Sequence, residues 1–384
     1  MIYFDNSATT QPTDGVISAM QRALRDGFFN PSAAYSPALN VENELNEVRR
    51  LIASTLSVKA ERVIFTSGGT ESDNLAVLGI SRAARKPGRI LYSAVEHPAV
   101  KAACKDAEFF SHKAEQIPVD SAGMVDLTAL EKMLDESVLL ICVMQVNNET
   151  GTVQPIDEIE KLRSRLSPEA VLHIDGVQGY LRSPISLKAF PRASYALSSH
   201  KLHGPKGEGA LVIAEGVRCA PRQVGGGQEK DRRSGTENTS GIIGMGEAIK
   251  EMLADAGMHS RLLGIKKRLF ELISSGVPEA RLNGEDIESP AAAPHILNIA
   301  FPSVRSETLL HALEGEGIYV SMGSACSAHA RKPSETLVAM GLSAEMASSS
   351  IRFSFGRLNT IDECEITADA VKRNYELLKR YQRR

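Results

Sequence analysis

The run SSHKLHGPKG, residues 198–207, places Lys201 directly after two hydroxyls and a histidine, at the end of an apolar stretch and before a turn rich in Gly and Pro. An amine that forms a Schiff base must be held rigidly. If its carbonyl partner carries a phosphate, hydrogen-bond donors must stand close by. Ser198 and His200 are such donors, although a surface lysine in a basic loop is the plainer reading of any one lysine. A second run, HIDGVQG, ends an apolar stretch on Asp175 and sets Gln178 three residues later. A carboxylate there is costly unless a cation meets it, and a protonated pyridine nitrogen is such a cation; the alternative is an Asp that caps the following turn. A third, TSGGT (66–70), sits where a strand turns into a helix. Gly68 and Gly69 allow close approach, Thr70 adds a hydroxyl, and a helix N-terminus attracts phosphate. Taken together, amine, carboxylate and phosphate cradle describe a site for pyridoxal 5'-phosphate.

Cys326 adds a possible nucleophile. GSACSA surrounds it with small residues, and AHARKP continues as a polar, loop-like run. A lone cysteine is usually a small buried hydrophobe, but His329, Arg331 and Lys332 are cations of the kind that favour a thiolate. The other four cysteines (Cys104, Cys142, Cys219, Cys364) lie in apolar or helical runs, with no CxxC pair. This pattern fits a reducing, cytoplasmic setting better than a disulfide framework. No GxGxxG follows a strand, no GxxxxGK[ST] occurs, and the pair His200 and His203 lacks an HExxH setting. Nicotinamide, P-loop nucleotide and resident-metal readings therefore lack motif support.

Elements of one architecture must hold these residues. RVIFTS (62–67), RILYSA (89–94), VLLICVMQV (138–146), AVLHID (170–175), SYALS (194–198) and ALVIA (210–214) read as strands buried on both faces, separated by helical runs at 70–84, 98–108 and 155–165. That is the pattern of an α/β sheet with helices on both sides. From Ile242 to Leu272 apolar residues recur at helical spacing, as one long helix or a pair. Beyond them, 295–301 and 351–355 read as strands, 305–314 as an amphipathic helix, and a charged helix follows from about residue 360.

The bulk numbers set outer limits. At 384 residues, two or three folding units are expected. With 44 Lys+Arg against 47 Asp+Glu the chain has no basic excess for nucleic acid or an anionic membrane. Its most apolar strip, 138–144, is far shorter than the ~20 residues of a spanning helix, and the N-terminus shows no basic segment followed by an apolar one.

Ten motifs, in order along nearly the whole chain, resemble the cysteine desulfurases of the NifS/IscS-like group, in the class V aminotransferase branch of fold-type I pyridoxal-phosphate enzymes. They are YFDNSATT, NPSAA, FTSGGTESDN, EHPAV, VNNETGTVQPI, HIDGVQG, SSHKLHGPKG, GGGQEKDRRSGTEN, GSACSA and SIRFSFGR. The resemblance implies a large domain (13–255) with a mostly parallel seven-stranded sheet, and a smaller α+β domain formed by 1–12 and 256–384. It implies Lys201 as the Schiff-base anchor, Asp175 on the ring nitrogen, Gln178 on the ring hydroxyl and His97 stacked on the ring. Gly69, Thr70, Ser198 and His200 would hold the phosphate, with Thr236 reaching it from the other subunit of a homodimer. Asn148, which also neighbours the cofactor, and Arg352 would hold the substrate carboxylate. The implied reaction converts L-cysteine to L-alanine and leaves sulfur on Cys326 as a persulfide for a protein acceptor, as in iron–sulfur assembly or thiolation. Selenocysteine lyase, a β-lyase and a non-catalytic sulfur-relay scaffold are the alternatives. No resident metal is expected, although Cys326 could transiently ligate an iron–sulfur cluster.

Three positions depart from the family pattern: Tyr35 stands for a histidine, and Gly69 and Gly176 each stand for an alanine. The chain also ends without the longer tail by which housekeeping members dock a cluster scaffold. The 225–236 run is expected to stand off its own core, and residues 327–332 to be mobile, with Cys326 far from Lys201.

Overall fold

The computed structural model describes residues 1–323 and 333–382. A two-residue strand, β1 (Ile2–Tyr3), precedes the helices α1 (Asp14–Asp26) and α2 (Ser36–Thr55). Strands and helices then alternate: β2 (Val63–Thr66), α3 (Gly69–Ala83), β3 (Arg89–Ser93), α4 (Pro98–Asp106), β4 (Lys113–Ile117) and α5 (Leu127–Met133). They continue with β5 (Val138–Met144), α6 (Ile156–Leu166), β6 (Val171–Asp175), β7 (Ala193–Ser198) and β8 (Gly209–Ile213). These strands form one seven-stranded sheet in the order β2-β8-β7-β6-β5-β3-β4, parallel except for β8, which runs against both neighbours. β6, β7 and β8 are buried along their whole length, which is why they read as continuous apolar runs rather than alternating ones.

Two helices, α7 (Thr239–Ala254) and α8 (Met258–Gly276), carry the long apolar stripe. It is a pair because the chain breaks at residues 255–257, where Asp255 accepts both guanidinium nitrogens of Arg261. A second set follows: β9 (Arg281–Asn283), β10 (Ile296–Ala300), α9 (Ser306–Gly315), β11 (Ile318–Tyr319), α10 (Glu335–Ala339), α11 (Ala344–Ala347), β12 (Ser350–Ser354) and α12 (Asp362–Gln382). β12, β10 and β9 make an antiparallel three-stranded sheet, and β1 pairs with β11.

The N-terminal segment is the seam between the two sheets. Asn6 donates to Ser354 O at 3.0 Å and Ser7 N to Ser354 Oγ at 2.8 Å, which ties it to β12. Thr10 N then reaches His200 O at 2.9 Å, just beyond β7.

Two of the family departures have a packing cause. A Cβ on Gly176 would lie 1.9 Å from the Tyr195 ring, and one on Gly69 would lie 2.6 Å from Val177 Cγ2. Tyr195 is fully buried and donates to Gln145 Oε1 at 2.7 Å, directly beneath the turn that follows β6. The tyrosine ring thus takes the space that an alanine would need. Gly176→Ala should lower the unfolding free energy by about 1–3 kcal/mol, the usual cost of overpacking. Denaturant titration should show that cost shrinking in a Tyr195→Leu background; an equal cost in both backgrounds would count against the steric explanation.

Candidate active site

Parallel strands deliver their C-terminal ends to one edge of a sheet, and ligands bind there. Asp175 ends β6, Ser198 ends β7, and His200 and Lys201 occupy the short helical turn that follows. Gly69 and Thr70 open α3, and His97 caps α4. Asn148 lies in the loop after β5, while Arg352 comes from β12 of the other sheet. These residues, with Gln178, line one cavity of about 250 Å³ that Ser7 and Ala8 complete on the N-terminal side.

Charge is concentrated there. Lys201 Nζ donates to the carbonyls of Ser7 and Ala8, the latter at 2.8 Å. Burial, reinforced by the nearby Arg352 and Arg182 guanidinium groups, pushes its pKa down to about 7, so a reactive neutral amine is available near neutrality. Arg352, 1% exposed, donates from Nη1 to Asn148 O and from Nη2 to Asp5 Oδ1, each at 2.8 Å. Its Nε is buried without a partner among the described residues.

Asp175 is 5% exposed; Oδ1 accepts from Val177 N at 2.9 Å, and no salt bridge reaches it among the described residues. Burial raises its pKa, against the pull of His97 and Lys201. His97 accepts from Ala99 N through Nδ1 at 3.1 Å, which leaves Nε2 to carry the ring proton; burial lowers its pKa, against Asp175. His200 is held near pKa 4 by burial and by Lys201, and its Nδ1 lies 3.2 Å from Thr9 Oγ1. Gln178 donates to Ser7 O at 2.9 Å.

Pyridoxal phosphate fits these residues. Asp175 is a buried carboxylate without an ion-pair partner, matched to a ring cation. Gly68, at φ 143°, leads into α3, whose first N–H groups have no acceptor within the helix. The site lacks neither an amine nor an anion cradle.

Ten of the twelve residues expected from sequence thus line this cavity. Thr236 does not: it is exposed on the loop after residue 225. That loop does not stand off its own core as expected. Glu229 accepts a two-pronged contact from Arg49 at 2.8 and 2.7 Å and the N–H of Phe65 at 3.1 Å, and Arg233 binds Glu71 at 2.8 Å. Glycines alone suggested freedom; two long-range arginine–glutamate contacts remove it. Cys326 and the expectation for 327–332 lie outside the described residues.

The described cysteines are poor nucleophiles. Burial pushes the Cys219 thiol up to about 12 and Cys364 to about 11 and raises Cys142, while Cys104 is fully buried against Cys142 at 3.8 Å.

Sequence reasoning gave no role to Asp5, Asp73 or Arg182. Asp73 lines the cavity with Oδ1 3.1 Å from His173 Nε2, and Arg182 donates to Lys201 O. Asp5 and Asp73 fall inside quoted motifs, but only the fold shows what they touch.

Residues 2–366 match the family Aminotransferase class-V, and the chain belongs to it. The class is that of pyridoxal-phosphate enzymes, and within it the full-length likeness is to cysteine desulfurases. Cysteine desulfurase IscS of Methanosarcina thermophila is 37% identical over 96% of this chain and 91% of its own. Putative cysteine desulfurase IscS 1 of Bacillus subtilis (strain 168) is 38% identical over 97% of this chain and 99% of its own. Among solved structures, a NifS-like protein superposes with a TM-score of 0.91 at 31% identity, covering 98% of this chain and 99% of that one. SspA in complex with cysteine superposes at 0.80 with 29% identity, covering 92% of this chain and 99% of that one. Among the described residues, no helix is long and apolar enough to cross a membrane.

The depressed Lys201 pKa has a direct consequence. Capture of pyridoxal phosphate by the apoenzyme, followed by growth of visible absorbance, should rise with pH to half its maximal rate near pH 7. A midpoint near the ordinary lysine value of about 10.4 would contradict the burial argument.

Proposed function

We propose that this cysteine desulfurase acts on L-cysteine with Lys201 as the cofactor anchor, Arg352 and Asn148 as the carboxylate site and Cys326 as the sulfur acceptor. The observation that carries the reading is one cavity holding an amine of lowered pKa and, among the described residues, a buried carboxylate without a salt bridge and an arginine with an unpartnered Nε. Bound there, pyridoxal phosphate supplies an electron sink for negative charge at the substrate Cα. Asp175 would hold the ring nitrogen in its cationic form, Gln178 would meet the ring hydroxyl and His97 would cover the ring. The α3 N-terminus with Gly69, Thr70, Ser198 and His200 receives the phosphate.

Arg352 is preset for a carboxylate. Asp5 and Asn148 O hold its two terminal nitrogens, which fixes the guanidinium plane and leaves Nε for the incoming group. Lys201 Nζ and His97 Nε2 border the same cavity and move protons to and from substrate carbon. In sulfur transfer the Cys326 thiolate attacks the substrate sulfur, so that an S–S bond forms as the substrate C–S bond breaks. The bonding pair stays on carbon, which takes a proton and becomes the methyl group of alanine. Sulfur is oxidised and carbon reduced, so no outside oxidant is needed. The persulfide then passes to an acceptor protein.

The working unit is proposed to be a homodimer in which Thr236 of each subunit completes the other's phosphate site. Its exposure, outside the cavity of its own chain, supports this. So does an exposed aromatic run in which Phe28 stacks on Phe29 at 4.3 Å and Tyr35 follows at 6.1 Å. The cysteine pattern supports a cytoplasmic setting.

Replacing Cys326 by Ala should abolish alanine formation from L-cysteine while visible absorbance persists. Continued release of sulfide and pyruvate would identify a lyase instead. Sedimentation at assay concentration should give a dimer, and a fully active monomer would refute the shared phosphate site.

A further inference from the structure

Glu149 has no part in the chemistry above, yet it is 5% exposed and follows Asn148, which lines the cavity. Its backbone is pinned on two sides. Its N–H donates to Asn147 Oδ1 at 2.9 Å, and its carbonyl accepts from Asn298 Nδ2 of β10 at 3.0 Å. The carbonyl just before it, Asn148 O, is the one that holds Arg352. From this fixed base the side chain meets the two stems that flank residues 324–332.

On the N-terminal stem, Ser321 and Arg352 exchange both backbone hydrogen bonds, at 3.1 and 2.7 Å. Two residues on, Gly323 sits at φ 98°, where a Cβ would come within 2.7 Å of Glu149 Oε2. On the C-terminal stem, Ser334 Oγ donates to that same Oε2 at 2.5 Å and accepts from Leu337 N at 3.2 Å, capping α10. One oxygen therefore binds the C-terminal stem and leaves no room for a side chain at position 323 of the N-terminal one. A buried carboxylate is a costly way to fill space; burial raises its pKa, and Ser334, Arg352, Thr336 and Lys101 pull against that rise.

We propose that Glu149 is a positioning residue for sulfur transfer, a clasp that ties the C-terminal stem of the Cys326-bearing segment to the loop that sets Arg352 and lies against the N-terminal stem. This rests on the assignment of Cys326 above. The clasp couples the place where substrate carboxylate is held to the place from which the thiol is presented. Glu149 touches no reacting atom, so its loss should affect thiol-dependent steps and spare thiol-independent ones.

The holoenzyme can be tested with two readouts. Exchange of the α-hydrogen of L-alanine with solvent deuterium needs the cofactor and Arg352 but no thiol. Persulfide on Cys326, measured by mass after one turnover with L-cysteine, needs both. Glu149→Ala should slow persulfide formation about tenfold or more, since small misplacements of reacting groups are that costly, and leave exchange within about twofold. Glu149→Gln keeps an acceptor oxygen for Ser334 and should restore persulfide formation. Ser334→Ala should act in the same direction as Glu149→Ala, and carries the test if the latter does not fold. Equal loss of exchange and persulfide, no loss of persulfide, or failure of Gln to rescue would overturn the proposal. Cys326→Ala runs in parallel: alanine formation surviving in that variant would refute the assignment of Cys326 itself.

Discussion

A carboxylate buried at the end of a sheet strand, with no salt bridge to it among the described residues, is the constraint on which this site depends. Taking an ion out of water costs several kcal/mol unless charge and hydrogen bonds replace the lost hydration. Asp175 has one backbone donor, and His97 and Lys201 pull on it from within the cavity. Burial outweighs these, and its pKa rises. The cationic ring nitrogen that we propose it meets would supply what is missing. The deficit in the protein is thus a specification for its cofactor.

The second sheet matters because it brings opposite charge to the same cavity. Arg352 sits on β12, and the N-terminal segment bridges β12 to the end of β7 through Ser7 and Thr10. That bridge also provides the carbonyls of Ser7 and Ala8 on which Lys201 rests. Buried, with Arg352 and Arg182 nearby, the lysine gives up its proton readily, while Asp5 pairs with the arginine and Asn148 O helps to aim it. Burial and the like charges of Arg352 and Arg182 push Lys201 toward its neutral form, against the pull of Asp5 and Asp175. The glycine at 69 belongs to the same cavity, where Val177 leaves no room for a side chain at the start of α3.

Much of this was legible in sequence because it is local. Lys201 stands at a strand end beside a Gly/Pro turn, Asp175 ends a continuous apolar run, and the double glycine opens a helix. What escaped depends on partners far along the chain. β4, KAEQI, is an edge strand with only Ile117 buried, so it has no apolar run to announce it. The break between α7 and α8 hides within one apolar periodicity. Arg49 and Glu229 are separated by most of the large sheet, so composition alone made the 225–236 run look free. The reason for Gly176 lies in Tyr195, on the neighbouring strand.

The most direct measurement of the central claim is the ¹⁵N chemical shift of ring-labelled pyridoxal phosphate bound to the enzyme, followed through neutral and mildly alkaline pH. If Asp175 holds the ring nitrogen as a cation, the resonance stays at the protonated position across that range, and moves to the unprotonated one in Asp175→Asn. An unprotonated nitrogen in the native enzyme at neutral pH, or a resonance indifferent to Asp175→Asn, would contradict the account.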